Sequence, residues 1–244
     1  MTLYLIGLGL YDEKDISIKG LEIAKNCDLI YMEEYTSKLG AEKSKIEELI
    51  GKDIKLISRE DVEQSDILLK DAKEKSIAFL VGGDPLTATT HTEFLVEAKK
   101  KGIETRVIHS SSIYTSICES GLFIYKFGKS CSIPFPTNSF KPISFYETVQ
   151  TNQKNNLHTL VFLDLKPEEN KFMTVNEAIK ILIDAGMDEN QLVVGLARIG
   201  SENQTIKAGK AKELIDFDFG KPQHILIVPG ELHFMEEEAL RQVS

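Results

Sequence analysis

The sequence has no tryptophan, and only three cysteines and seven prolines among 244 residues. Cys27, Cys118 and Cys131 are far apart and form no CxxC pair, so neither a disulfide framework nor a zinc site is expected. We read them as buried or half-buried thiols in a reducing compartment. No apolar run approaches the ~20 residues that cross a bilayer, so no membrane span is expected. The opening segment MTLYLIGLGLYDEKD is apolar, but it has no basic region ahead of the apolar stretch and no small-residue cleavage site. A signal peptide is therefore not expected, and a cytoplasmic location is. Positive charge is also short: 29 Lys and Arg against 38 Asp and Glu leave a formal net charge of -9. A generic grip on nucleic acid works by neutralising phosphates. That partner is not expected here.

What is present is an ordinary globular balance, 42% hydrophobic and 27% charged, in a chain long enough for a substantial core. The first half alternates short apolar runs with helix-period segments. Strands are expected at 2–8, 28–32, 54–57, 77–81 and 103–108. Helices are expected at 16–26, at 41–50 with Gly51 as the stop, at 60–75 with Ser58 as N-cap and Asp61 in the first turn, and at 86–101 ending at Gly102. Strands separated by helices in this way imply a mostly parallel sheet covered on both faces. The pattern changes near residue 112. Residues 111–120 read as a short helix and connector, and 128–142 hold three prolines and two stretches of strand character. Strands are expected at 157–163, 192–197 and 224–228. Thr174 and Glu177 fit a capping box opening a helix at 175–185, and a last helix is expected at 231–242. The sequence thus reads as two α/β domains, 1–112 with a mostly parallel sheet and 113–244 with a mixed one. No glycine-serine linker marks the boundary.

Chemistry is expected at the loops that follow strands, since ligands of open α/β sheets bind at the carboxyl ends. The first loop is Gly7-Leu8-Gly9-Leu10-Tyr11-Asp12. Its two glycines suit close approach of backbone to a ligand, or equally a tight turn. A dinucleotide fingerprint needs a third glycine where Asp12 stands, which counts against a nicotinamide-dependent oxidoreductase. The second loop is Gly82-Gly83-Asp84-Pro85-Leu86-Thr87-Ala88-Thr89-Thr90-His91. Asp84 offers a carboxylate to hydroxyls or a cation, or is merely an N-cap, and Pro85 suits a first helical position. A lone histidine such as His91 on a helix is more often packing than catalysis. The third loop, Ser110-Ser111-Ser112-Ile113, could hold polar ligand edges or simply cap a helix. In the second half, Leu163 and Ile199 stand at strand ends and His224 opens a strand. Core packing is the plainer reading of the first two.

Taken together, LYLIGLGLYDEKDIS, KGLEIAKNCD, GGDPLTATTH, IYKFGKS, HTLVFLDLK, MTVNEA and PQHILIVPG resemble the diphthine synthases, in the family's order from residue 3 to residue 230. The resemblance implies the tetrapyrrole methylase type of fold, with S-adenosylmethionine in the cleft between two α/β domains, and a homodimer. It implies methylation, to the trimethyl stage, of the amino group of the 3-amino-3-carboxypropyl-histidine of translation elongation factor 2 in diphthamide biosynthesis. Carried over by position, the cofactor contacts are Leu10, Asp84, Thr87, Ser112, Ile113, Leu163, Ile199 and His224. No metal is implied and no catalytic residue is assigned. Three positions depart from the family pattern: Gly82 stands where many members have proline, Thr87 where a larger apolar residue is common, and Ser111 where proline or a small apolar residue is usual. Lys126, Lys129 and Arg198 are candidates to pair with the substrate's carboxylate, solvated surface charge being the plainer alternative. A methylase of tetrapyrroles or ribosomal RNA shares the Gly83-Asp84-Pro85 loop, but IYKFGKS and HTLVFLDLK favour diphthine synthase. A non-catalytic binding protein that kept the fold is the remaining alternative.

Overall fold

The computed structural model describes residues 1–33, 39–58, 67–137 and 143–244. They divide into two compact units, Met1–Tyr114 and Thr115–Ser244.

The first unit is built on five strands: β1 (Thr2–Gly7), β2 (Leu29–Glu33), β3 (Lys55–Ile57), β4 (Ile77–Val81) and β5 (Glu104–Ile108). Their order is β3-β2-β4-β1-β5, and every pairing is parallel. A parallel sheet needs cover on both faces, so its middle strands carry apolar residues without alternation. All five residues of β4 are buried. Two apolar clusters result. Ile6, Leu8, Ile30, Ile46, Ala78 and Leu80 belong to one, and Leu3, Leu5, Tyr31, Leu68, Ile77 and Phe79 to the other. Each fully buried aliphatic or aromatic side chain of this kind stabilises the fold by about 1.5–3 kcal/mol.

Helix ends follow local chemistry. The helix Ile18–Asn26 starts where the Ser17 side chain accepts from the Gly20 N–H. The helix Lys43–Ile50 stops at Gly51, whose φ of 76° only glycine adopts without strain. One expected helix starts later than its pattern suggests. The helix before β5 runs Thr92–Lys100, not from 86, because the Asp84 side chain captures the Leu86 N–H and Ala88 turns left-handed at φ 57°. Pro85 is accordingly not a first helical residue. Of the helix expected at 60–75, only Ile67–Asp71 is seen; Asp61 lies outside the described residues.

The first strands of the second unit are β6 (Cys131–Ile133) and β7 (Thr159–Leu163), and a small antiparallel hairpin of β8 (Leu165–Lys166) and β9 (Lys171–Phe172) follows β7. With β10 (Leu192–Ala197), β11 (Thr205–Lys210) and β12 (His224–Val228), the first two strands form a sheet in the order β11-β10-β12-β7-β6. This sheet is mixed: β6 runs parallel to β7, and the other neighbours are antiparallel. The helix Val175–Asp184 opens on the expected capping box, Thr174 accepting from the Glu177 N–H and Glu177 accepting from the Thr174 N–H. It buries Ala178, Ile179 and Leu182 against Val161, Val193 and Leu226. The last helix is Phe234–Arg241, shorter than expected because His233 caps it. Strand β11, the hairpin and the helix Ser144–Lys154 have no counterpart in the sequence reading. Two of the thiols are covered as expected, but Cys118 is exposed.

Among the described residues, no helix is long and apolar enough to cross a membrane.

Candidate active-site loops and their family

In the first unit, the three candidate loops leave the carboxyl ends of three adjacent strands, β4, β1 and β5. The first two are joined through backbone. The Leu8 N–H donates to the Val81 carbonyl at 2.8 Å and the Gly83 N–H donates to the Gly9 carbonyl at 2.8 Å. The glycines of the first loop answer to this packing. A Cβ on Gly7 would stand 2.5 Å from the Gly83 carbonyl oxygen and 2.7 Å from Ser110 Cβ. Gly9, at φ 86°, would press a Cβ into Asp15. Asp12, where a nucleotide fingerprint has glycine, accepts from the Lys14 N–H instead. Gly83 differs: at φ 71° it has only Ser112 Cβ near its missing side chain, at 3.9 Å. The second loop therefore offers open backbone.

Asp84 is the centre of the arrangement. Its Oδ1 accepts from the Leu86 N–H at 3.0 Å and from Thr87 Oγ1 at 3.2 Å. Its Oδ2 accepts from His109 Nδ1 at 2.7 Å and the Ser110 N–H at 3.3 Å. Burial, the largest influence, would raise its pKa. The donors from Leu86, His109 and Ser110 outweigh it and hold the carboxyl below the usual carboxylate range. Both oxygens are thus engaged within the unit. The carboxylate ties the second loop to the third. His109, which sequence reasoning passed over, is its partner.

The structure brings Leu10, Asp84, Thr87, Ser112 and Ile113 together on these loops. Leu10 and Ile113 are half-buried, and Ser112 is buried. His91 belongs to the core. It is 2% exposed, its Nδ1 donates to the Pro85 carbonyl, and its ring packs edge-on to Phe79. Burial lowers its pKa and keeps it neutral.

In the second unit, Leu163, Ile199 and His224 stand at one end of the sheet, since β7 and β10 finish where the antiparallel β12 begins. Both ring nitrogens of His224 are in use. Nδ1 accepts from the Val175 N–H at 3.2 Å, and Nε2 donates to the Gly220 and Lys221 carbonyls. Burial lowers its pKa. Two of the three cations proposed for the substrate carboxylate are already committed. Arg198 donates to the carbonyls of Asn203, Phe219 and Lys221 and to Thr205 Oγ1. Lys126 donates to Glu236 Oε2 at 2.6 Å and to the Glu231 carbonyl. Lys129 is exposed.

A family profile described as Tetrapyrrole (Corrin/Porphyrin) Methylases matches residues 2–215. The chain is 48% identical to a diphthine synthase of Methanocella arvoryzae over 252 residues, covering 99% of this chain and 98% of that protein. It is 50% identical to a diphthine synthase of Methanosarcina mazei over 255 residues, at 99% and 96% coverage.

The chain belongs to the diphthine synthase family.

A solved crystal structure of a diphthine synthase superposes at a TM-score of 0.94 with 40% identity, covering all of this chain and 96% of that one. With membership comes the activity: this chain is a methyltransferase of the diphthine synthase kind. The departures at Gly82, Thr87 and Ser111 sit within an intact loop system, because the contacts that organise it come from backbone, Asp84 and His109. A nucleoside sulfonium fits what the loops present. They offer open backbone at Gly83, half-buried apolar flanks at Leu10 and Ile113, and a Thr87 hydroxyl held in place by Asp84. Among the described residues, no group of three or more His, Cys, Asp or Glu could hold a metal ion.

Proposed function

We propose that this protein uses S-adenosylmethionine to trimethylate the amino group of the 3-amino-3-carboxypropyl-histidine of translation elongation factor 2, acting as a cytoplasmic homodimer. The observation that supports it most is that one buried carboxylate ties the loops after β4 and β5 together while the loop after β1 is joined to them through backbone, in a chain matched along its length by diphthine synthases.

Leu10, Asp84, Thr87, Ser112 and Ile113 of the first unit and Leu163, Ile199 and His224 of the second would hold the cofactor. Asp84 acts by fixing the loops that carry the contacts. His224 plays the corresponding part in the second unit, its neutral ring pinning the start of the helix Val175–Asp184 to the turn at Gly220 and Lys221. When bound, the cofactor supplies an electrophilic methyl group on a leaving group already activated. The protein's work is then to align an amine with that carbon and to exclude water. This is why no Ser-His-Asp or Cys-His constellation is needed. Methylation of nitrogen stops at the quaternary stage, where no lone pair remains.

The test is incubation with labelled S-adenosylmethionine and elongation factor 2 carrying the unmethylated side chain, read by mass spectrometry. Three added methyl groups are expected. Absence of transfer, together with no cofactor uptake by calorimetry, would overturn this reading.

A further inference from the structure

Successive methylation of an amine sets a proton problem. An ammonium has no lone pair, so an N–H bond must break before nitrogen can accept a methyl group. Each transfer to an amine that still carries hydrogen returns an ammonium, and the proton must leave again. An amine resembling an α-amino group has a pKa of about 8 and is mostly protonated at neutral pH.

We infer that His109 is the acceptor of these protons. The inference rests on the methyl-transfer reading above and concerns a residue to which that reading gives no role. Asp84 Oδ2 lies 2.7 Å from His109 Nδ1, and Asp84 is 8% exposed. Because that carboxyl is held ionised, it can only accept, which makes Nδ1 the donor and leaves the lone pair on Nε2. The His109 side chain is 69% exposed, and among the described residues Asp84 is its hydrogen-bond partner. A buried carboxylate behind an imidazole with its far nitrogen open is the arrangement that orients a base and stabilises the imidazolium it becomes. The other four histidines do not offer it. His91, His158 and His224 are buried. His233 spends Nδ1 on the cap of the last helix and stacks on Phe234.

From the loop after β4 the facing group is Asp84. On the loop after β1, the Asp15 carbonyl accepts from Ser110 Oγ and its carboxylate accepts from the Tyr11 and Asp12 N–H groups. In the step, a substrate N–H bond breaks, the proton passes to Nε2 and the electron pair stays on nitrogen. That pair forms the bond to the methyl carbon, whose bond to sulfur breaks with its electrons remaining on sulfur. The exposed imidazolium then releases its proton to water, ready for the next cycle.

Two measurements on the full chain test this. Nitrogen-15 spectra of the free protein should show His109 protonated at Nδ1, with Nε2 the nitrogen that titrates; the opposite tautomer would overturn the inference. His109→Asn keeps a donor for Asp84 and loses the acceptor. It should bind cofactor as the parent does, keep its KM for elongation factor, and lose about 100-fold in kcat near pH 7. The deficit should shrink above about pH 9, where bulk solvent deprotonates an amine of this kind. Added imidazole should restore part of the turnover of His109→Ala. An unchanged kcat and pH profile in His109→Asn would refute the role. If instead the parent protein takes up no cofactor, the proposed function fails, and the spectra still report the tautomer.

Discussion

Among the described residues, Asp84 in the first unit and Glu236 in the second are buried carboxylates that each gather four donors, and the two hubs end differently. In the first, Asp84 holds Leu86, Thr87, His109 and Ser110. In the second, Glu236 on the last helix accepts from the N–H groups of Phe123 and His233, from Lys126 Nζ and from His158 Nε2. Both hubs include a histidine. His158 is fully buried, and its remaining nitrogen accepts from the Gly230 N–H, so the Glu236 network closes on itself. His109 leaves one nitrogen outside. The same bond between carboxylate and imidazole is structural where it is sealed and available for chemistry where it is open. IYKFGKS and the start of HTLVFLDLK, two of the motifs that carry the family resemblance, contribute Lys126 and His158 to the sealed hub. They therefore hold the last helix in place, and Lys126 is not free for a substrate.

The comparison breaks if stability and turnover do not separate along this line. The largest loss of stability is expected for Glu236→Ala, which strands Lys126 and uncaps the last helix. Removing one partner of a buried ion pair costs about 3–5 kcal/mol, measurable by urea denaturation. Asp84→Ala comes next, with about 1–3 kcal/mol for the donors left without an acceptor. Its cofactor affinity should fall at least about tenfold by calorimetry, a loss of about 1.4 kcal/mol. Tight binding in that variant would contradict the role of the carboxylate as loop organiser.

Acid should act more gently, on the sealed hub and on buried histidines outside the hubs. Burial depresses the pKa of His91, His158 and His224 below the ordinary 6.5. A histidine of this kind binds fewer protons folded than unfolded, so its contribution is full above that value and is lost as pH falls through it. Although burial, its largest influence, acts upward, Glu236 is held at about 2 by donors from His233, Lys126, Phe123 and His158. Its contribution is full above 4.5 and erodes as pH falls toward about 2. Denaturant midpoints should therefore drop from about pH 7 downward, with no matching drop toward about pH 8. The smallest change in stability is expected for His109→Asn, within about 0.5 kcal/mol, as for an exposed site. A large destabilisation there would erase the distinction between the hubs.

Much of the fold was legible because parallel strands buried on both faces write themselves as short apolar runs, as IAFLV does at β4, and because caps such as Gly51 and Thr174 mark helix ends. What was missed is polar. Strand β11 reads TIKAGK and is an edge strand with mostly half-exposed residues, and the helix Ser144–Lys154 shows only Phe145, Val149 and Asn152 to the interior. The delayed start at Thr92 was invisible because Asp84 competes for backbone amides across a turn. At the site, the loops were legible as strand ends. The bond between Asp84 and His109 was not, because 25 positions separate the two residues and another strand runs between the strands that carry them.

That intervening strand, β1, finishes at Gly7, and the absence of a side chain there has a consequence of its own. Loops rooted two strands apart meet above it, held to each other by Asp84. One extra carbon at Gly7 would wedge them apart, unhooking imidazole from carboxylate without altering either. Gly7→Ala, which alters neither Asp84 nor His109, should therefore lower both cofactor affinity and turnover. Tolerance at that position reports whether the coupling between the loops matters at all.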